Sequence, residues 1–317
     1  MADDTTLTLP LGGHEDAAAD GIEGTAGRSL PTEPELHDIG PDGTELLDAG
    51  PNDGPAEFAA GREPSPLLHE RGLLDTVSCG DPLQLLAGVP DASVDLVLSA
   101  LPYGTRGHAA QSDIELTSLW QALRRVLTDR GVVLLFATQP FASSLVVSNP
   151  DWFRYEWVWR KTIASGQLNV RHQPLRAHES ILVFYGRKPT YRPQLRNGTP
   201  YVAQRDMSGG GYGQQRAHTS VNEGVRWPNS VLEFANPRQA GSHRGAKPVD
   251  LLGYLIRTYT DPGAVVLDVS CEDEALVSAA WTEGRHAVAL TPSQDSAAAA
   301  NEHLKGVRAD LDSRLPL

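Results

Sequence analysis

The stretch Asp91-Ala-Ser-Val-Asp-Leu-Val-Leu-Ser99 decides the fold class, because a turn leads into a nearly continuous apolar run. Such a run is typical of a strand that a parallel sheet buries on both faces. The segments 131–137 and 264–268 repeat the pattern, and a helical spacing of apolar residues over 117–127 lies between strands. The alternation predicts an α/β fold with a doubly wound, mostly parallel, Rossmann-like sheet.

The net charge of −13 is unevenly distributed along the 317 residues. Residues 1–70 contain 16 Asp and Glu but only two Lys and Arg, so the remaining 24 acidic and 25 basic residues nearly balance. Because 1–65 is also poor in aromatic residues, we predict a disordered acidic tail there. The rest, 66–317, is predicted to form the folded domain.

Several protein classes are excluded by composition. No stretch has the roughly 18 consecutive apolar residues that a membrane span needs. Two cysteines, Cys79 and Cys271, cannot make a disulfide scaffold. The residues after Met1 lack the basic and apolar regions of a secretory signal. We therefore expect a cytoplasmic protein, with no membrane partner and no metal site.

A basic segment points to nucleic acid. Residues 151–250 hold 15 Lys and Arg against seven Asp and Glu, and aromatic residues are interleaved with them. Part of this segment, 186–246, is rich in Gly, Arg, Gln, Asn and Pro and is predicted to be an irregular basic insertion. Arginine suits phosphates and base edges, so we predict double-stranded DNA as partner. The candidate contacts are Arg160, Lys161, Arg171, Arg176, Arg192, Arg196, Arg226 and Arg244.

Several phrases of the sequence occur in a characteristic order. They are Gly80-Asp81, Asp95-Leu-Val-Leu-Ser-Ala-Leu-Pro-Tyr103, Trp157-Val-Trp-Arg-Lys161, His178-Glu-Ser-Ile-Leu-Val-Phe184, Trp227-Pro-Asn-Ser, Lys247-Pro248 and the strand, loop and helix at 264–280. In this order the sequence resembles the β-class DNA amino-methyltransferases over about 73–305. The resemblance implies methyl transfer from S-adenosylmethionine to adenine N6 or cytosine N4, with 186–246 as the target-recognition segment.

The matched catalytic motif departs from the family. Its pattern, Asp or Asn followed by Pro-Pro-Tyr, grips the amino group of a flipped base and stacks on the ring. The matching residues here are Ala100, Leu101, Pro102 and Tyr103. Ala100 has no side-chain acceptor, and loss of such a positioned polar group commonly lowers the rate by about 10² to 10³. Tyr103 keeps the capacity to stack on a base.

The matched cofactor motifs depart as well. In the family's Asp-Pro-Phe-x-Gly-x-Gly loop, Asp268 is kept, but Glu272 and Glu274 replace both glycines. We expect both glutamates to obstruct the cofactor and Ser270 to cap the following helix. Thr291 replaces the acid that binds the ribose hydroxyls. The vestigial cofactor set is therefore Asp81, Lys247, Pro248, Asp268, Glu272, Glu274 and Thr291.

Three functions follow as alternatives. The first is a DNA-binding protein of the amino-methyltransferase fold that is inactive or nearly so and needs no cofactor. The second is an active S-adenosylmethionine-dependent DNA methyltransferase. The third is an interaction scaffold that binds a protein partner through the acidic tail. The sequence leaves a homodimer open in each case.

Overall fold

A computed structural model describes residues 63–102, 114–205, 218–237 and 245–314. The chain divides into two units, Met1–Ala56 and Glu57–Leu317, and every described residue belongs to the second. Apart from 63–65, the predicted acidic tail lies outside the described residues. Within them, no helix combines the length and apolar character that crossing a membrane requires.

Helices and strands alternate along most of the described chain. The elements of its first part are α1 (Pro66–Glu70), β1 (Thr76–Cys79), α2 (Pro82–Gly88), β2 (Val94–Ser99), α3 (Leu116–Val126), β3 (Leu127–Ala137), α4 (Phe141–Ser148), β4 (Phe153–Ser165) and β5 (Arg176–Phe184). The later elements are β6 (Arg196–Asn197), β7 (Tyr201–Arg205), β8 (His218–Asn222), β9 (Val225–Arg226), β10 (Val231–Phe234), α5 (Val249–Tyr259), β11 (Val265–Asp268), α6 (Ala275–Thr282), β12 (His286–Thr291) and α7 (Gln294–Arg314).

A central sheet carries eight of these strands in the order β1-β12-β11-β2-β3-β5-β4-β10. Its strands run in one direction except for β5, which is antiparallel to both neighbours. The predicted mostly parallel, doubly wound sheet is confirmed. Two short hairpin-like pairs, β6 with β9 and β7 with β8, stand apart from it.

The inner strands β2, β3 and β11 are mostly apolar because helices cover both faces of the sheet. In β2, Leu96 and Leu98 pack with α5, α6 and α7, whereas Val97 packs with α2, α3 and α4 on the opposite face. Residues that alternate along a strand point to opposite faces, so each face receives its own apolar set. Full burial of one such side chain contributes about 1.5–3 kcal/mol.

The structure refines several predicted elements. The stretch 186–246, predicted as an insertion, also supplies the edge strand β10, which pairs with β4. Helix α5 begins at Val249, and Pro248, which is its N-cap residue, has an extended backbone. The last helix, α7, continues to Arg314.

Candidate functional site

A cleft opens at the carboxyl ends of β2, β3 and β11, the edge where doubly wound sheets bind ligands. It holds about 420 Å³ of space that is open to solvent. The parts of the chain that line it are the end of β2, the β11–α6 loop and the residues before α5. The lining residues are Leu98, Ser99, Ala100, Phe136, Gly245, Ala246, Lys247, Leu252, Asp268, Ser270, Glu272, Asp273, Ala275 and Leu276.

The end of β2 presents the residues matched to the catalytic motif. Ala100 lines the cleft with a methyl group, so the side chain offers no hydrogen-bond acceptor there. Leu101 is buried and packs into the core on the α2, α3 and α4 face. Pro102 is half-buried, and Tyr103 lies outside the described residues.

Asp268 is the buried acid of the cleft. Its Oδ1 accepts hydrogen bonds from Ser99 Oγ at 2.6 Å and from the Ser270 backbone N–H at 2.9 Å. Burial raises the pKa of Asp268 to about 6 although both hydrogen bonds lower it, and the charges of Asp273 and Glu272 add to the rise. The carboxyl group therefore joins β11 to β2 and changes its charge near pH 6.

The β11–α6 loop places the two glutamates differently. Glu272 lines the cleft, and an added Cβ at Gly245 would lie 3.2 Å from Glu272 Oε2. Glu274 instead pairs with His303 Nε2 of α7 at 3.5 Å, so the expectation that it obstructs the cleft is wrong. Ser270 is not the helix cap either, because Asp273 Oδ1 accepts the Ala275 N–H at 3.0 Å.

Beneath the cleft lies a buried charged cluster, here called the Glu179 triad, made of Glu179, Lys247 and Lys161. Lys247 Nζ donates to Glu179 Oε1 at 2.7 Å, and Lys161 Nζ lies 2.9 Å from Oε2. Burial would raise the pKa of Glu179, but the two lysines outweigh burial and lower it. Two ammonium groups thus face one ionised carboxylate.

The triad changes the roles expected for its lysines. Lys161 was predicted to contact DNA, but its side chain is only 18% exposed and is paired with Glu179. Lys247, predicted for the cofactor, lies 4.9 Å above the Phe136 ring while it donates to Glu179. Both lysines form ion pairs with the carboxylate of Glu179 inside the protein.

The remaining vestigial cofactor residues have local structural roles. Asp81 is the N-cap of α2 and accepts the Gln84 N–H at 2.9 Å. Thr291, at the end of β12, accepts the Ser293 N–H at 3.3 Å through its hydroxyl. Neither residue is part of the cleft lining.

The predicted DNA-contacting arginines lie on several different elements. Arg160 pairs with Glu233, Arg192 Nε donates to Asp261 Oδ1 at 2.6 Å, and the Arg226 guanidinium stacks 4.6 Å above the Tyr201 ring. Three others are exposed. Arg171 lies between β4 and β5, Arg176 is the first residue of β5, and Arg196 lies on β6. Arg244 lies outside the described residues.

The cleft residues differ from those that the family resemblance implies for S-adenosylmethionine. Glu272 and Asp273 bring carboxylates to the cleft, whereas the cofactor carries a carboxylate together with an ammonium and a sulfonium group. Among the described lining residues the one cation, Lys247, donates to Glu179. A metal does not offer an alternative centre in the described part of the chain, which contains no group of three His, Cys, Asp or Glu placed to hold one.

The comparisons with known proteins agree with this architecture. A family model described as DNA methylase, of the N6/N4 amino-methyltransferase type, matches residues 94–300. The chain belongs to the DNA methylase family. The predicted resemblance to the DNA amino-methyltransferases is thereby confirmed at the level of the family.

The DNA methylase chain is also similar to individual proteins. It is 23% identical over 272 residues to the type II methyltransferase M.XycI of Xanthomonas campestris pv. cyanopsidis, over 67% of this chain and 83% of the relative. The solved PvuII cytosine-N4-specific DNA methyltransferase is 15% identical, with a TM-score of 0.52 over 74% of this chain and 91% of its own. M1.HpyAVI, solved as a complex with S-adenosylmethionine (SAM), is 12% identical, with a TM-score of 0.51 over 72% and 98%. At these identities the two solved structures support the fold alone.

Sequence reasoning missed two residues of the site. Glu179 was not a candidate, although an acid that directly precedes the apolar run 180–184 signals a buried carboxylate in need of a cation. Ser99 was treated only as a strand residue, yet its hydroxyl donates to Asp268. Both residues lie next to positions of the matched motifs and are not themselves altered motif positions.

Proposed function

We propose that this member of the DNA methylase family binds double-stranded DNA and transfers methyl groups poorly or not at all. The observation that carries the proposal is the pairing of two changes in one cleft. Ala100 brings a methyl group to the end of β2, and Glu272 brings a carboxylate to the β11–α6 loop beside Gly245.

The target side of the cleft has lost a polar group. The lone pair of an aromatic amino group is delocalised into the ring, and hydrogen bonds from its N–H groups to an acceptor release the lone pair for attack. The Ala100 side chain cannot supply that acceptor, and its neighbour Ser99 donates to Asp268. The expected loss is about 10² to 10³ in rate for one such group.

The cofactor side of the cleft has gained negative charge. Glu272 and Asp273 are joined by Asp268 once the pH exceeds about 6. The carboxylate of the cofactor would lie close to these side chains and be repelled by them. Lys247, the cation at the cleft, donates to Glu179 instead. The arrangement disfavours the carboxylate of the cofactor beside Glu272 and Asp273, so the amino-acid part of the cofactor loses its usual position.

The test is titration of S-adenosylmethionine into the full chain by calorimetry, with and without duplex DNA. We expect no heat up to millimolar ligand for the wild type and for Glu274→Gly, whose side chain faces α7. Glu272→Gly, which removes the carboxylate beside Gly245, should bind measurably. Micromolar binding by the wild type, about −8 kcal/mol, would overturn the cofactor half of the proposal.

The DNA half has a separate test. A gel shift of a short duplex at rising salt should show binding that falls steeply with ionic strength, as counterion release requires. Absence of a shift even at low salt would contradict DNA binding, whatever the calorimetry shows.

A second candidate is an active DNA amino-methyltransferase with an unusual pocket. The observation in its favour is the position of the cleft at the carboxyl ends of β2, β3 and β11, the edge where doubly wound sheets bind ligands. Transfer of a labelled methyl group from S-adenosylmethionine to duplex DNA by the wild type would establish it. If only the combination Ala100→Asp and Glu272→Gly transfers label, the first proposal gains.

A further inference from the structure

The connection between β4 and β5 carries an apolar tip that the proposed function does not use. We name residues 166–175 the β4–β5 tip. Its backbone makes one turn of 3-10 helix at Gln167–Asn169. Leu168 stands in the middle of that turn with its side chain 100% exposed, and Val170 is 56% exposed. Ile163 and Leu175 flank the tip at 53% and 40%.

The tip projects from the edge of the sheet that carries the cleft. Ala137, the last residue of β3, pairs with Ser180 of β5, which in turn pairs with Val158 of β4. Both strands continue beyond this point, and Ser165 pairs with Arg176. The four residues from Ser180 to Arg176 extend about 13 Å at strand geometry. The tip therefore stands beyond the carboxyl ends of β2 and β3.

The tip is held in one shape by its own hydrogen bonds. The Asn169 N–H donates to the Gly166 carbonyl at 2.9 Å, and the His172 and Gln173 N–H groups donate to the Asn169 carbonyl at 2.9 and 3.0 Å. Gly166 has a φ of +100°, which favours glycine at the turn. A turn ordered in this way loses little conformational freedom on binding.

The base of the hairpin is anchored in the core. Trp157 Nε1 donates to Tyr259 Oη at 2.7 Å, and Tyr155 Oη lies 2.8 Å from the same oxygen. Trp159 is buried and donates to the Phe234 carbonyl at 3.0 Å. These contacts fix β4 to α5 and β10, so a force on the tip is transmitted to the sheet.

The basic residues near this apolar tip indicate which kind of partner it binds. The sequence 157–178 contains no Asp or Glu. Of its four Lys and Arg residues, Arg160 and Lys161 pair with glutamates of other elements, so the positive charge of the tip comes from Arg171 and Arg176. Arg171, His172 and Arg176 are exposed beside Leu168 and Val170. An exposed apolar side chain with two exposed arginines on the same connection is complementary to a polyanion with an apolar interior. Stacked base pairs between phosphate backbones have that composition.

We propose that the β4–β5 tip is a wedge that inserts Leu168 between adjacent base pairs of double-stranded DNA. Val170 widens the apolar contact, and Arg171 and Arg176 bind the flanking phosphates. Proteins that insert apolar side chains between base steps unstack and kink the duplex. Because the tip stands on the cleft edge, the opened step lies on the same side of the molecule as the cleft. The proposal rests on the proposed DNA binding.

The test uses the full chain and short duplexes that carry the fluorescent base 2-aminopurine at successive positions, so that unstacking raises the emission. The wild type should raise it at one or more positions. Leu168→Ser should abolish most of the rise and weaken binding about tenfold, the scale of one buried leucine side chain. Leu168→Phe should retain the rise. Val147→Ser, at an exposed valine on α4, is the matched control and should behave as wild type.

The outcomes separate this proposal from the one on which it rests. If the wild type binds DNA and Leu168→Ser leaves the emission unchanged, the wedge is wrong and DNA binding stands. If the wild type binds no DNA at low salt, both fail. If Leu168→Ser instead converts an oligomer to a monomer in light scattering, with emission unchanged, the tip is a protein interface and the wedge is overturned.

Discussion

Replacement of Asp268 by asparagine should change how the stability of the protein depends on pH. Asp268 Oδ1 accepts from Ser99 Oγ and from the Ser270 N–H, and an asparagine oxygen can accept both hydrogen bonds. The substitution therefore keeps the connection between β2 and β11 and removes only the titration. This makes Asp268→Asn a clean probe of the buried charge.

The magnitude follows from the pKa of Asp268, which burial raises from an ordinary 3.8 to about 6. The folded state binds the proton more tightly than the unfolded state, so the stabilisation is fully present below the unfolded pKa and is lost as the pH rises through the folded one. At about 1.4 kcal/mol per unit, the full effect is about 3 kcal/mol. Proton linkage predicts that the contribution of Asp268 to the free energy of unfolding is about 2 kcal/mol larger at pH 4.5 than at pH 8.

Urea unfolding, followed by tryptophan fluorescence between pH 4.5 and pH 8, measures this effect. The quantity to plot is the unfolding free energy of the wild type minus that of Asp268→Asn, since other titrating groups cancel in the difference. It should fall by about 2 kcal/mol as the pH rises. Val147→Ala, at an exposed valine on α4 that does not titrate, should give a flat line.

A flat line for Asp268→Asn, within about 0.5 kcal/mol over the range, would refute the reasoning. A rise with pH would refute it more strongly, because it would mean that the native state stabilises the charged form. Either result would also mean that Asp268 is already ionised below pH 6, so its negative charge in the cleft would not begin near pH 6.

Three further predictions concern other parts of the molecule. Glu179→Gln leaves two buried ammonium groups without a counterion and should lower the unfolding free energy by about 3–5 kcal/mol in urea, whereas the exposed control Glu302→Gln should change it little. Gly224→Ala should destabilise the β6–β9 pair, because φ is +100° and the new Cβ would lie 2.7 Å from the Gly198 carbonyl oxygen; faster hydrogen exchange confined to that pair would be the signature, and unchanged exchange would contradict it. Arg171→Gln should reduce the slope of log binding constant against log salt by about 0.9 if it contacts one phosphate, and an unchanged slope would remove it from the DNA surface.

The sheet was predictable where strands are buried on both faces. The apolar runs of β2, β3 and β11 are recognisable in the sequence because helices cover both faces of these strands. The strand β4 was missed as an element, since in Phe153–Ser165 charged residues interrupt the aromatic ones and only Trp157 and Trp159 are buried. Its neighbour β10 is four residues long and has no signal of its own.

The site was predictable in position and less so in geometry. Motif order located the cleft residues Ala100, Asp268 and Glu272, but sequence could not separate the directions of two glutamates two positions apart. Glu274 turns to α7 because the helix begins at the next residue. In the Glu179 triad, Glu179 and Lys247 are 68 positions apart in the chain. The sequence contains no pattern that relates these two residues.

The strand order has a consequence for synthesis of the chain on the ribosome. β2 pairs on one side with β3, which follows at once, but on the other side with β11, where Val266 and Leu267 meet Leu96 and Val97. At about 5–20 residues per second, the ribosome takes roughly 8–34 s to make the intervening chain. During that time the nascent sheet has an open apolar edge at its centre, the kind of edge that recruits other chains. Newly made protein should therefore depend on chaperones until β11 emerges, and truncation before Val265 should yield aggregates.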